Sequence, residues 1–263
     1  MISSIDQMGR RVELPGYPKR IISTVPSQTE LLADLGLQEE VIGITKFCIH
    51  PDEWFRKKTR VGGTKNLNLA TIEDLHPDLI IANKEENEQM QIRELERRYP
   101  VWLSDIKTLD DAIHMIGEVG RLTQREKEGK EIAGTILSSF QNVMAGTPIR
   151  AAYVIWKNPL MVAGGDTFIS DMLSRAGYVN VFQDSSRYPA VTLQELKEAR
   201  AEMILLSSEP YPFKEKDRHE MARQLSETQV TIVDGEMFSW YGSRLKYAPD
   251  YFTSLRKKIE SPL

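Results

Sequence analysis

The chain has 263 residues, 41% of them hydrophobic and 27% charged, with 34 Lys and Arg against 38 Asp and Glu for a formal net charge of -4. That is enough apolar material for one large core or two modest ones. So small a net charge, with no long Lys/Arg run, argues against nucleic acid as a partner. Cys48 is the only cysteine, so no intramolecular disulfide can form. No apolar stretch approaches the ~20 residues that cross a bilayer.

The N-terminus, Met1-Ile2-Ser3-Ser4-Ile5-Asp6, has no basic segment followed by an apolar one. The chain as given carries no export signal, and a cytoplasmic location is expected if Met1 is the native start. Ser3–Asp6 and Arg11–Leu14 flank a turn at Gly9 and predict a hairpin. Arg20–Thr24 is a β-rich run. Ser27 with Glu30 reads as a capping box opening a helix over Gln28–Leu35, which Gly36 ends. Val41–Ile44 predicts a strand, Thr71–Leu75 a helix stopped by Pro77, and Leu79–Ala82 a strand buried on both faces. Glu88–Arg98 is an amphipathic helix with Ile92 and Leu95 inward, and Val101–Leu103 another strand.

From Thr108 to about Met144 the pattern is helical. The second helix there is expected to start at Thr123, capped with Glu126, and to turn Ile132, Ile136, Phe140 and Val143 to one face. After Pro148 the alternation resumes. Strands are expected over Ala151–Trp156, Leu160–Ala163, Met203–Leu206 and Val230–Val233. Helices are expected over Phe168–Ala176, Leu193–Arg200, Glu215–Leu225 and Tyr247–Lys258. Strands alternating with helices imply mostly parallel sheets covered by helices.

The halves repeat. Leu69–Ala82 aligns without a gap on Leu193–Leu206, placing Ile72 on Leu196, Leu75 on Ala199, Asp78 on Glu202 and Leu79 on Met203. The expected fold is therefore α/β, with two Rossmann-like lobes joined by one long α-helix. The boundaries are 1–122 for the first lobe, 123–146 for the connecting helix and 147–263 for the second lobe. Ligands of such sheets bind at the carboxyl ends of the strands, so the matching loops Asn83–Asn87 and Ser207–Phe213 are expected to line a cleft between the lobes.

Several segments carry a family likeness in order and spacing: Arg20-Ile21-Ile22-Ser23 before Thr29-Glu30-Leu31-Leu32, Val61-Gly62-Gly63, Pro77-Asp78-Leu79-Ile80-Ile81, and Asn180-Val181-Phe182 ahead of Tyr188-Pro189. Over nearly the whole chain the sequence resembles the substrate-binding proteins of ABC importers whose lobes are joined by a backbone helix, nearest to the vitamin B12-binding members. The resemblance implies a binding role rather than catalysis and a place in the cell envelope. It implies a monomer with no required cofactor and with cobalamin, haem or a ferric chelate as ligand. The family's aromatic pocket positions fall on Phe47, Thr64, Trp156 and Tyr188, with Thr64 replacing a ring, and a cleft carboxylate falls near Glu236. The implied partner is the importer's membrane subunit. Each lobe of the family presents it with a glutamate, and the corresponding positions here are Ala70 and Gln194.

Other residues add to this from their own chemistry. Trp240-Tyr241-Gly242-Ser243, close to Phe238, reads as a loop presenting two rings beside a flexible glycine. Cys48 and His50, two apart on a loop after a strand, could place a thiolate and an imidazole on one metal or on a corrinoid cobalt, completed by Glu209, Asp234 or Glu236. Lys84–Asn87 and Glu209–Lys214 could hydrogen-bond a ligand's amides or carboxylates. No Gly-x-Ser-x-Gly elbow occurs, and neither Gly62-Gly63 nor Gly164-Gly165 has the spacing of a phosphate loop. Two alternatives stay open: a cytosolic corrinoid or metal-chelate binding or delivery protein without a transporter, and a metal-dependent enzyme.

Overall fold

The computed structural model describes residues 1–141, 143 and 146–260, and the chain divides into two compact units. The first comprises Met1–Ile106, Asp110–Leu137 and Tyr241–Arg244. The second comprises Lys107–Leu109, Ser138–Trp240 and the segment from Leu245 onward. Positions 142, 144 and 145 of the expected connecting helix, and 261–263 of the expected second lobe, lie outside the described residues.

The first unit opens with the expected hairpin. Strands β1 (Ile2–Ile5) and β2 (Arg11–Leu14) pair antiparallel, Ile2 opposite Leu14. Gly9 takes the turn at φ +74°, a conformation that glycine adopts without steric cost. Next come β3 (Ile21–Ser23), α1 (Pro26–Asp34), β4 (Val41–Ile44), α2 (Asp52–Lys57) and the short strands β5 (Thr59–Arg60), β6 (Gly62–Gly63) and β7 (Asn66–Leu67). Then follow α3 (Leu69–Asp74), β8 (Leu79–Asn83), α4 (Gln89–Glu96) and β9 (Val101–Ser104). The main sheet runs β5-β4-β3-β8-β9, all parallel. All five residues of β8 are buried, as an uninterrupted apolar run requires. Helix α5 (Leu109–Leu122) buries Ala112, Met115, Ile116, Val119 and Leu122, a recurrence of three and four residues that makes one face.

Two helix starts differ from the sequence expectation. Helix α1 begins at Pro26, and Ser27 does not cap it. Proline's fixed φ suits the first helical position, where its missing N–H is no loss, and this outweighs the Ser27/Glu30 signature. Glu30 instead forms a bidentate pair with Arg244, at 2.7 and 2.8 Å. Thr123 does not open the next helix either. Its hydroxyl donates back to the Val119 carbonyl at 2.7 Å, finishing α5. The chain then turns through Gln124 at φ +60° into α6 (Glu126–Phe140).

The second unit holds β10 (Ile149–Trp156), β11 (Met161–Val162), α7 (Phe168–Arg175), β12 (Tyr178–Asn180), α8 (Leu193–Glu198) and β13 (Met203–Ser207). It continues with α9 (Glu215–Gln224), β14 (Gln229–Val233), α10 (Glu236–Ser239) and α11 (Ala248–Glu260), the last preceded by a 3-10 turn over Ser243–Tyr247 that begins in the first unit. Its sheet runs β11-β10-β13-β14, with β12 also on β10, and only β11 is antiparallel. Helix α8 carries a full capping box: Thr192 accepts from the Glu195 N–H, and the Glu195 carboxylate accepts from Thr192.

The sequence repeat is a structural repeat. The order β4-β3-β8-β9 in one sheet matches β12-β10-β13-β14 in the other. Arg20 donates to the Leu75 and His76 carbonyls at the end of α3, while the Asp78 carboxylate accepts the Arg20 N–H at 2.9 Å. Arg150 donates to the Ala199 and Arg200 carbonyls at the end of α8, and the Glu202 carboxylate accepts the Arg150 N–H at 2.9 Å. His76 and Arg200 occupy the same left-handed corner, at φ 44° and 50°. In each unit a guanidinium satisfies the orphan carbonyls of a short helix and fastens it to the first strand of the sheet.

Candidate functional site

In the first unit, the segments that follow β3, β6 and β8 are tied into one patch. Thr24 donates through its hydroxyl to Asn87 at 2.8 Å, and the Asn87 amide donates to the Thr64 carbonyl at 3.0 Å. The Asn83 side chain accepts the N–H groups of Glu85 and Glu86, at 2.8 and 3.0 Å, which curls the loop after β8. Lys65 donates to the Glu85 carbonyl at 2.5 Å. Phe47 stands beside this patch with its ring 51% exposed. The Lys46 ammonium lies 5.1 Å from the ring centroid. Gly63 makes the arrangement possible, because a Cβ there would lie 3.1 Å from the Phe47 ring and 3.3 Å from the Lys46 stem. Thr64 is half-buried beside it.

In the second unit, Trp156 ends β10 with its indole 38% exposed and its N–H donated to the Asn158 carbonyl at 3.1 Å. Tyr211, on the loop after β13, meets the indole edge to face at 5.6 Å, and Phe213 meets Tyr211 at 4.6 Å. Neighbouring Lys157 is committed to structure. Its ammonium is shared between Asp217 and Glu220 at 2.8 Å each, and these hydrogen bonds push its pKa up. Tyr188 is half-buried on a segment zipped to the strand-end glycines, where Gly164 and Gly165 donate to the Arg187 and Ser185 carbonyls at 2.8 Å each.

Glu209 follows β13 and is a largely buried carboxylate. It accepts from the Ser239 hydroxyl at 2.7 Å and the Trp240 indole N–H at 2.8 Å. Burial raises its pKa above the ordinary 4.5, and those two hydrogen bonds pull the other way. Glu236 is half-buried at the first position of α10, its N–H donated to the Asp234 carboxylate at 3.1 Å.

Three expectations are corrected here. Trp240 and Tyr241 are not presented by a flexible loop: both rings are buried, 6% and 5% exposed. Trp240 is held by Glu209 in the second unit, while Tyr241 belongs to the first and donates its hydroxyl to Glu86 at 2.7 Å. Gly242 supplies close approach rather than freedom, since a Cβ there would lie 2.3 Å from the Ser27 carbonyl oxygen. Phe238, expected nearby, is core, packed on Tyr153 and Phe252 at 5.1 and 4.7 Å.

Cys48 and His50 sit in different surroundings. The thiol is fully buried, within 3.0 and 3.1 Å of the Thr29 and Thr45 hydroxyls, and burial raises its pKa. His50 is half-buried just ahead of Pro51, the N-cap of α2. Among the described residues, no group of three or more His, Cys, Asp and Glu is placed to hold a metal ion. Sequence reasoning did not single out Lys46, and it placed Glu209 and Tyr211 on a ligand-facing loop without their roles as anchor of Trp240 and neighbour of Trp156.

Two sheets of the same order, each with an exposed ring where a parallel strand ends, frame the comparison with known proteins. A family model described as periplasmic binding protein matches residues 21–230. The chain belongs to this family. Among curated relatives, the vitamin B12-binding protein of Pectobacterium atrosepticum is 25% identical over 252 residues, covering 90% of this chain and 88% of that one. The vitamin B12-binding protein of Photorhabdus laumondii is 27% identical over 196 residues, covering 72% and 71%.

Solved periplasmic binding proteins share the fold. The periplasmic vitamin B12-binding protein of Vibrio cholerae superposes with a TM-score of 0.79 at 21% identity, covering 93% of this chain and 98% of that one. The periplasmic haem-binding protein of Roseiflexus sp. RS-1 superposes with a TM-score of 0.78 at 18% identity, covering 91% and 97%. The two-sheet α/β architecture expected from the sequence is thus that of periplasmic binding proteins, and the relatives named are binding proteins.

Proposed function

We propose that this periplasmic binding protein is the substrate-binding component of an ABC importer, working in the cell envelope, and that it takes a cobalamin-like corrinoid or a ferric chelate. The loops at the carboxyl ends of both sheets would supply the contacts. The observation that carries the reading is the placement of Phe47 and Trp156. Each is a large ring left exposed where a parallel strand ends, against the general tendency to bury such rings. Burying one removes ~150–250 Å² from water. At ~25 cal/mol per Å² that bounds each ring's contribution at several kcal/mol, and the cost of association reduces it. The relatives named as vitamin B12-binding support the ligand class.

A second reading is favoured by one observation. Ala70 and Gln194 are the second residues of α3 and α8, equivalent in the repeat and both exposed. Neither offers a carboxylate to a membrane subunit. This supports a corrinoid or chelate carrier that works without a transporter.

A thermal-shift panel of cyanocobalamin, cobinamide, haemin and ferric hydroxamates tests the ligand class. A ligand at 100 times its Kd adds ~2.7 kcal/mol of stability, so a shift with at least one member is expected. No shift with any member overturns the ligand class in both readings. Pull-down of the importer's membrane subunit, positive for the first reading and negative for the second, separates them.

A further inference from the structure

Trp156 does not stand alone at the edge of the second sheet. Its indole N–H is fixed to the Asn158 carbonyl, and its ring meets Tyr211 at an interplanar angle of 70°. Tyr211 in turn meets Phe213 at 61°. Phe213 is buried in the core with Leu206 and Val230, and Tyr211 packs partly on the same cluster. The three rings therefore form a ladder that climbs from core to surface and ends in the exposed indole.

Such a ladder restricts the rotamers of its outermost ring. An edge-to-face neighbour at this separation adds to area burial and favours one orientation over its competitors. The adjacent ammonium of Lys157 is spent on Asp217 and Glu220. What this edge offers is an oriented π face.

We propose that Tyr211 is a positioning residue that holds Trp156 as a stacking wall, and that this wall selects a ligand with a conjugated macrocycle over an aliphatic ferric chelate. The proposal rests on the reading that the chain binds a corrinoid or ferric chelate, and it narrows that class. The face of a tetrapyrrole or corrin can lie against an oriented indole. A hydroxamate chelate presents methylene chains and amides instead, and gains little from the ring's orientation.

The test measures equilibrium binding of haemin, cyanocobalamin and ferrioxamine B to the whole chain and to three single variants and one double. Tyr211→Leu keeps apolar bulk against the core, Tyr211→Phe keeps the ring, and Trp156→Ala removes the wall. Expected is about a tenfold loss of macrocycle affinity in Tyr211→Leu, restoration in Tyr211→Phe, and unchanged weak binding of ferrioxamine B throughout. Tyr211→Leu combined with Trp156→Ala should lose no more than Trp156→Ala alone, because Tyr211 acts through the indole. Equal loss for all three ligands, or additive losses in the double variant, would overturn the positioning role. Tight binding of ferrioxamine B with none of the macrocycles would overturn the selectivity while leaving an importer role standing. Binding of no ligand by the wild-type chain would overturn both.

Discussion

The hydroxyl of Tyr241 donates to the carboxylate of Glu86 across 155 positions of sequence, at 2.7 Å. It returns a late segment of the chain to the first unit, beside the Glu30–Arg244 pair. Burial, then the charge of Glu86, raises the Tyr241 pKa well above the ordinary 10.0, and burial does the same for Tyr153. A hydrogen bond from a neutral donor to a charged acceptor is worth ~1.5–3 kcal/mol. Tyr241→Phe is expected to lose about that much stability by urea titration, and an unchanged midpoint would show that the contact holds nothing.

The same tyrosines set a pH dependence. With folded pKa values above the unfolded 10.0, the folded state binds more protons as pH rises past 10. Stability from these groups is complete below that pH and is lost as pH climbs toward the folded values. Unfolding followed from pH 8 to pH 11 should show a decline beginning near 10, shallower in Tyr153→Phe and Tyr241→Phe. A decline of identical steepness in both variants would assign it to other groups.

Glu209 gives the opposite practical result from the same sign. Its folded pKa lies above 4.5, so stability falls as pH rises from 4.5 through the folded value, and the penalty persists at neutral pH. Glu209→Gln keeps an oxygen to accept from Ser239 and Trp240 and removes the buried charge. The variant should match the wild type near pH 4 and equal or exceed it at pH 7. A variant less stable at pH 7 than at pH 4, relative to wild type, would contradict a buried charge that opposes folding.

Arg20 and Arg150 should behave alike. Each donates to the last carbonyls of a short helix from an exposed position, so Arg20→Ala and Arg150→Ala should each cost ~1 kcal/mol, the scale of a single net hydrogen bond. Amide exchange at the ends of α3 and α8 should quicken in the respective variant. Faster exchange in neither would remove the capping role.

Much of this was legible in the sequence because it is periodic. The buried runs at Leu79–Ala82 and Met203–Leu206 and the Asp78/Glu202 match carried the two mostly parallel sheets. Competing signals misplaced two helix starts: Pro26 overrode Ser27, and Thr123 bonded backward to Val119 instead of forward. Strand β12, three residues with no alternation, offered no pattern. The site residues were harder because exposure is set by remote partners. Nothing near Trp240 or Tyr241 announces Glu209 or Glu86, which take the polar ends of their rings and let the rest be buried. Tyr211 lies in a polar loop without periodicity, and only its aromatic neighbours give it a role.

The thiol of Cys48 should be inert. Sealed under Thr29 and Thr45 with its pKa raised, it should react with a disulfide reagent at pH 8 only when the chain is unfolded. Cys48→Ala should leave ligand affinity unchanged, and a loss would place the sulfur near the ligand.

The most direct test of the binding role is isothermal titration of cyanocobalamin and haemin into the wild-type chain and into the Phe47→Ala/Trp156→Ala double variant. Both rings are substantially exposed, so removing them should change the unfolding midpoint little. Expected is a Kd of about 1 μM or tighter for at least one ligand, weakened about 100-fold or more in the double variant, a loss of ~2.7 kcal/mol. Equal affinity in the two proteins, or no binding of either ligand by the wild type, would contradict a binding site built on these rings.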